Sequence, residues 1–328
     1  MVHPKTQGHK TNKNHKHPEK RKKENKMKKI ISIILAAALL CCSIFALASC
    51  KGEDLYKAYG KQLDKFAAPT DAAETLTVAM SPDFAPMEFT YVDGSKSEIA
   101  GFDVILANYL AKELNMKLEI KAMSFDACQT AIQTGTVDLA ISGFSWTEER
   151  AENYLISNWY IAGDNETEQV LITTKENAGK FTNEEALSGK KIGYQGASLQ
   201  ELLVKETFTG IASELVPYTD LGLATEALKT GKIDALAVAK GNGDSIIANA
   251  NDAIAFAGYN FDVDPMYENN VILLNKADSA LLAKVNAALD KALENDYYTD
   301  WYEASLILSG SKSIDELGYD ADGNKITE

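Results

Sequence analysis

Arg150 is the side chain that the sequence places best to bind a charged partner. It ends the stretch Ile141-Ser142-Gly143-Phe144-Ser145-Trp146-Thr147-Glu148-Glu149-Arg150, where a buried strand passes a flexible glycine and enters a helix that Thr147 can cap. With Thr147 as N-cap, Arg150 takes the third helical position, where a cation opposes the helix dipole by a few tenths to about 1 kcal/mol. A cation set there against stability suggests a use, and the rigid guanidinium fork suits a carboxylate held by two parallel hydrogen bonds. The competing reading is an exposed salt bridge with Glu148 or Glu149. A second loop, Gly193-Tyr194-Gln195-Gly196-Ala197-Ser198-Leu199-Gln200, reads as strand, glycine turn and helix start with Ser198 as cap. Free N–H groups at Ala197 and Ser198 can grasp an anion there. The remaining glycines of a dinucleotide fingerprint are missing, as is any following Lys-Ser/Thr, so it is no nucleotide loop.

Other chemistries drop out quickly. All four histidines (His3, His9, His15 and His17) precede the first long apolar run. If that run is a removed export signal, the working protein has no His-based triad, His-ligated zinc or His acid–base catalysis. No cysteine or lysine has an evident activating partner, so a binding protein is expected rather than an enzyme. The tail Asp320-Ala321-Asp322-Gly323-Asn324 opens like an EF-hand loop, but its twelfth position lies past Glu328, so it reads as a surface turn. Neither a metal nor a cofactor is expected.

Charge is uneven along the chain. Residues 1–49 hold 11 of the 33 Lys/Arg and 2 of the 47 Asp/Glu, so residues 50–328 keep 22 against 45, a net −23. A body that acidic repels a phosphate backbone, and nucleic-acid binding is excluded. Met27-Lys28-Lys29 precedes an uncharged apolar run that ends in Leu47-Ala48-Ser49-Cys50, after which the chain turns polar. This resembles a bacterial lipoprotein signal, with Cys50 taking the lipid and becoming the new N-terminus. A permanent single-span anchor is the alternative. The polar, basic residues 1–26 read as an extension of the signal or as upstream sequence from a wrongly chosen start. Cys41 and Cys42 fall in the apolar run, which leaves Cys128 alone as a buried small side chain.

The elements that must position the two loops form a pattern that occurs twice. Candidate strands cover residues 76–80, 117–123, 138–142, 169–173, 191–195, 215–218, 234–239, 254–257 and 270–274, with helical stretches at 102–114, 198–206 and 280–293. Residues 131–141 and 227–237 share one grammar: a helix stops at Gly135 or Gly231, and Asp138 or Asp234 opens a buried strand three residues later. The alternation predicts an α/β chain with largely parallel strands in two similar domains.

From about Leu76 to Leu306 the chain resembles the extracytoplasmic amino-acid-binding components of ABC importers, a two-lobed solute-binding family. Seven pieces match in order: Ser81-Pro-Asp-Phe84-Ala-Pro86-Met-Glu88-Phe89, Gly101-Phe-Asp-Val104, Gly135-Thr-Val-Asp138 with Ser142 to Arg150, Ser157-Asn-Trp-Tyr160, Lys191 to Ser198, Gly231-Lys-Ile-Asp234, and the closing segment from Lys284. The resemblance implies a periplasmic-binding-protein-like type II fold. It gives a discontinuous first lobe (70–168 and 270–308) and a second lobe (169–269), hinged near 167–169 and 265–269. Residues 50–69 read as a tether, or within 51–75 as a first helix, and 309–328 as a C-terminal tail.

It also implies roles. Arg150 would pair with the ligand α-carboxylate, helped by Ser145 and the N–H of Ser198. Ser142 and Gly143 would add backbone or hydroxyl hydrogen bonds, Phe84 would face the ligand side chain, and Ala197 with Ser198 would be the second lobe's grip. The family acid for the α-ammonium falls on Ala239. Asp244 reaching back across a Gly-Asn-Gly loop, or Ser81 with the Ser142 carbonyl, are the candidate replacements, unless the ligand is not an ordinary α-amino acid. One or two aromatics of Phe144, Trp146, Trp159 and Tyr160 are expected at the cleft or as core wedges, and Trp301 and Tyr302 in packing. The expected protein is a lipid-anchored, monomeric binding component outside the cytoplasm that hands a small carboxylate to a membrane permease. A sensory or adhesion lipoprotein is the alternative, ahead of a dehydratase-like enzyme.

Overall fold

The computed structural model describes residues 49–160 and 168–326, with side chains from residue 55. The basic approach and the apolar run up to Ala48 lie outside the described residues, as does Thr167 of the first hinge. Cys50 falls within helix α1 (Ser49–Lys65), whose later turns bury Ala58 and Tyr59. Of the two readings of this region, tether or first helix, the helix forms, and the Tyr59 hydroxyl accepts from the Gly101 N–H at 3.0 Å.

The first lobe begins with β1 (Thr75–Met80), then a three-stranded hairpin sheet of β2 (Asp83–Phe84), β3 (Glu88–Asp93) and β4 (Lys96–Ala100). Then follow α2 (Phe102–Glu113), β5 (Lys117–Ala122), α3 (Phe125–Gln133), β6 (Leu139–Ser145), the short α4 (Glu148–Asn153) and β7 (Leu155–Ile156). The second sheet takes β8 (Gln169–Thr174), β9 (Lys191–Gln195), α5 (Leu199–Phe208), β10 (Glu214–Tyr218), α6 (Leu221–Lys229), β11 (Ala235–Ala239), α7 (Lys240–Asn249) and β12 (Ile254–Asn260). The chain closes with β13 (Asn270–Leu274), α8 (Ser279–Glu294) and α9 (Tyr297–Leu308).

Both five-stranded sheets follow one plan, β5-β1-β6-β13-β7 and β10-β9-β11-β8-β12. Four of the five strands in each sheet point the same way, and one, β13 or β8, runs against them, so the sheets are mixed. In the first sheet the opposed strand enters from another part of the chain: β13, from far down the sequence, pairs Asn270 with Ser145 and Val271 with Phe144. Periodicity within a strand carries no record of such a partner.

The repeated glycine–aspartate grammar has a physical role in each lobe. Gly135 and Gly231 sit at φ +66° and +70°, ending their helices in the left-handed conformation that glycine takes without strain. The aspartate three residues on then ties its strand to the neighbour. Asp138 accepts from the Thr77 N–H at 2.8 Å and Asp234 from the Lys191 N–H at 2.9 Å. The hairpin sheet was missed by the sequence reading, although Asp93-Gly94 is a strong tight-turn signal and Gly94 has φ +58°.

Trp301 is fully buried among Phe66, Phe102, Tyr109 and Tyr298, and Tyr302 is buried beside it. On the other face of the first sheet, α3 buries Cys128 with Phe125 and Ile132. At the C-terminal end, Asp320 is occupied by Asn324, and Gly323 lies against the backbone of Lys57 and Ala58. That segment is a packed turn.

Candidate ligand-binding site

The Arg150 helix forms as its spacing predicts. Thr147 Oγ1 accepts from the Arg150 N–H at 3.1 Å, which fixes the cap and puts the guanidinium at the first sheet's carboxyl end. Arg150 is 4% exposed, and no carboxylate among the described residues lies within ion-pair distance of it, so the exposed salt bridge is excluded. Its Nη1 donates to the Ser145 carbonyl at 2.5 Å, and its Nη2 reaches the Ala197 carbonyl of the second lobe at 2.9 Å. The fork lies over the rings of Phe144 and Phe125, 5.1 and 5.6 Å from their centroids. Burial lowers its pKa to about 10, which still leaves it charged at neutral pH. A buried cation held by carbonyl dipoles and ring faces, with the Glu149 charge near it but not paired, is poised to take an anion.

Arg150, Ser142, Gly143, Ser145, Phe84 and Ser198 line one cavity, joined by Phe125, Gln169, Gln195, Leu199 and Gln200. The lobes are drawn together around it, and about 20 Å³ remains, room for roughly one water. Anything larger requires the lobes to part. Just outside, Glu148, Glu149, Glu201 and Glu206 rim a mouth of about 640 Å³ that Arg150 and Ser198 also reach.

The cavity floor rests on a pair of buried carboxyl groups. Gly143 has φ +54°, its N–H donates to Asp103 Oδ2 at 3.0 Å, and the Phe84 ring covers its Cα. The Ser142 hydroxyl donates to Glu88 Oε1 and accepts from the Ser81 N–H at 3.0 Å. The Ser142 hydroxyl hydrogen and the Gly143 N–H are thus committed to shaping the wall. Glu88 and Asp103 are both fully buried and hydrogen-bonded to each other, and burial pushes both upward, Glu88 further because it also faces the Asp103 charge. Glu88 therefore keeps its proton and donates it to Asp103. Glu88→Gln retains a donor toward Asp103 and should change stability by less than about 1 kcal/mol. Glu88→Ala strands the Asp103 charge and the Ser142 hydroxyl, and should cost about 2–4 kcal/mol in chemical denaturation.

The second lobe's loop differs in detail from the expectation. Ala197 takes φ +60°, and its N–H donates to Glu201 Oε2 at 2.6 Å, so it is not open to an anion. Its carbonyl receives Arg150 instead, and also Gln129 Nε2 at 3.3 Å. Ser198 does cap α5: its hydroxyl accepts from the Glu201 N–H at 3.2 Å and donates to the Gln195 carbonyl at 2.6 Å.

Three further candidates move. Ala239 is fully buried at the end of β11, paired with Gln169 and outside the cavity lining. Asp244 cannot reach back, because Gly241-Asn242-Gly243 are part of helix α7, and Asp244 pairs with Lys240 one turn earlier at 3.2 Å. Trp146 packs half-buried against the Phe125–Phe144 cluster and does not line the cavity. Of the other aromatics, Tyr160 stacks in the core on Phe102 and Trp159 is 55% exposed. Ser81 is buried, and its hydroxyl donates to Asp83 Oδ1 at 2.8 Å.

Phe125 and the three glutamines escaped the sequence reading. Gln195 and Gln200 lay inside the loop already singled out, so proximity to Ser198 was the available signal; nothing local marked Phe125 or Gln169.

Comparison with known proteins fits this arrangement. The family described as bacterial extracellular solute-binding proteins, family 3, matches residues 76–305. A probable histidine-binding protein of Neisseria gonorrhoeae is 27% identical over 84% of this chain and 97% of its own. The arginine-binding extracellular protein ArtP of Bacillus subtilis is 27% identical over 82% of this chain and 94% of its own. Among solved structures, the amino acid ABC transporter substrate-binding protein AbpA of Streptococcus pneumoniae, bound to L-arginine, is 30% identical with a TM-score of 0.66. The match covers 73% of this chain and 97% of AbpA. The relatives are binding components of transporters, not enzymes, and the two lobes have the type II periplasmic-binding-protein build. With both sheets, the cleft between them and the match over 76–305, the chain belongs to the bacterial extracellular solute-binding proteins, family 3.

Proposed function

We propose that this protein captures an amino acid, or a similar small carboxylate, between its lobes and delivers it to the permease of an ABC importer. The observation that carries the reading is Arg150: a buried guanidinium at the lobe boundary, with no acid partner among the described residues, aimed into a cavity walled by both lobes. The ligand carboxylate replaces the Ser145 and Ala197 carbonyls on the fork, exchanging dipoles for a full charge. Ser145 and the Ser198 N–H complete the grip, and Phe84 covers the ligand. Closure then excludes water and strengthens each of these contacts. The lobes are 70–168 with 270–308, and 169–269, turning about the crossovers near 167–169 and 265–269. Calorimetry with the free amino acids tests the reading; no binding by any of them would remove amino acids as the ligand class.

The same proposal places the protein outside the cytoplasm, held by lipid on Cys50, as a monomeric body that meets its permease transiently. Among the described residues no helix is long and apolar enough to cross a membrane. Cys50→Ala should leave an unlipidated precursor, while the wild type carries an acylated N-terminus in mass spectrometry. A soluble mature chain cut at another residue would refute the anchor.

A further inference from the structure

Among the described residues the cavity has one charged residue in its wall, Arg150, while an amino acid brings two opposite charges. An ammonium closed into a dry cleft without a carboxylate would lose its hydration uncompensated. The glutamates of the rim lie outside the cavity lining, and among the other described residues near it four carboxyl groups come into question. Glu88 and Asp103 are fully buried behind Ser142 and Gly143 and occupied with each other. Asp244 is turned outward to Lys240. The fourth is Asp83, next in sequence to the Phe84 that walls the cavity.

Asp83 reaches the cavity through its partners. Its Oδ2 accepts from Gln195 Nε2 at 3.0 Å, and Gln195 lines the same cavity as Arg150. The same oxygen accepts from the Leu221 N–H at 2.8 Å, at the first turn of α6, and Oδ1 is held by the Ser81 hydroxyl. Two of these three donors belong to the second lobe, so parting the lobes frees Oδ2 while Ser81 keeps the carboxyl aimed. Burial, with Asp220 nearby, pushes the Asp83 carboxyl up to about 6, the mark of an anion short of positive charge.

Resting on the reading of the cleft as an amino-acid site, we propose that Asp83 takes the cationic group of the ligand, opposite the carboxylate on Arg150. Neutral amide donors give way to an ammonium, which makes stronger charge-assisted bonds to the same oxygen. The two poles come from one lobe, so the ligand docks there first and the second lobe closes over it.

The experiment compares two probes by calorimetry: the free amino acid that binds the wild type most tightly, and the 2-oxo acid with the same side chain. Both carry the carboxylate, and only one carries the ammonium. Asp83→Asn, nearly isosteric, should reduce the preference for the amino acid over the 2-oxo acid by roughly 10- to 100-fold. Ser81→Ala, which only releases the aim of Asp83, should lower that preference by a smaller factor, and it keeps the test open should Asp83→Asn fold poorly. If Asp83 merely latches the lobes, both probes weaken equally and the preference holds, which overturns the proposal. An unchanged affinity for the amino acid overturns it as well. Failure of the underlying reading looks different: no amino acid binds the wild type at all, or Arg150→Lys leaves both probes unaffected.

Discussion

Arg150→Lys should weaken ligand binding by about 1.5–3 kcal/mol, roughly 10- to 150-fold in Kd, while the protein stays folded. Lysine keeps the charge but not the planar fork. The guanidinium spans the Ser145 and Ala197 carbonyls at once, one from each lobe, and sits near the ring faces of Phe144 and Phe125. A single ammonium cannot copy both bonds at once. Calorimetry of both proteins with the same amino acid reads the effect. Equal affinity would take Arg150 out of the centre of the site.

Gly143→Ala should both destabilise the protein and damage the site. At φ +54° a side chain is strained, and a Cβ there would lie 2.7 Å from the Phe84 ring. Either the ring leaves the cavity wall or the loop moves, and the loop's N–H is bound to Asp103. The expected loss is about 2–4 kcal/mol in stability, from left-handed strain plus overpacking, together with a clear loss of ligand affinity. Gly231→Ala is the control. It has φ +70° but nothing within 4 Å of the added carbon, so it should cost about 1 kcal/mol and leave binding alone. Similar effects from the two substitutions would show that Phe84 does not depend on that close approach.

The sequence by itself determined the parts whose information is local. Thr147 as a cap fixes where its helix begins, and hence that Arg150 sits in its first turn, because capping needs only residues three apart. Gly135 and Gly231 stop helices and Asp138 and Asp234 open strands for reasons contained in about ten residues, so the twofold plan was legible. The histidine-free body and its acidic balance excluded whole classes of chemistry before any folding. Tertiary structure decided what depends on distant partners. It made the first sheet mixed, because β13 arrives from far down the chain to pair with β6. It carried Asp244 away from the cleft, because three residues that read as a loop complete a helix once packed on β8 and β11. It set Phe125 and Gln169 in the cavity wall, and it aimed Asp83, through Ser81, Gln195 and Leu221, at the boundary between lobes. A carboxylate's role is set by the donors that surround it, and two of the three around Asp83 lie more than a hundred residues away.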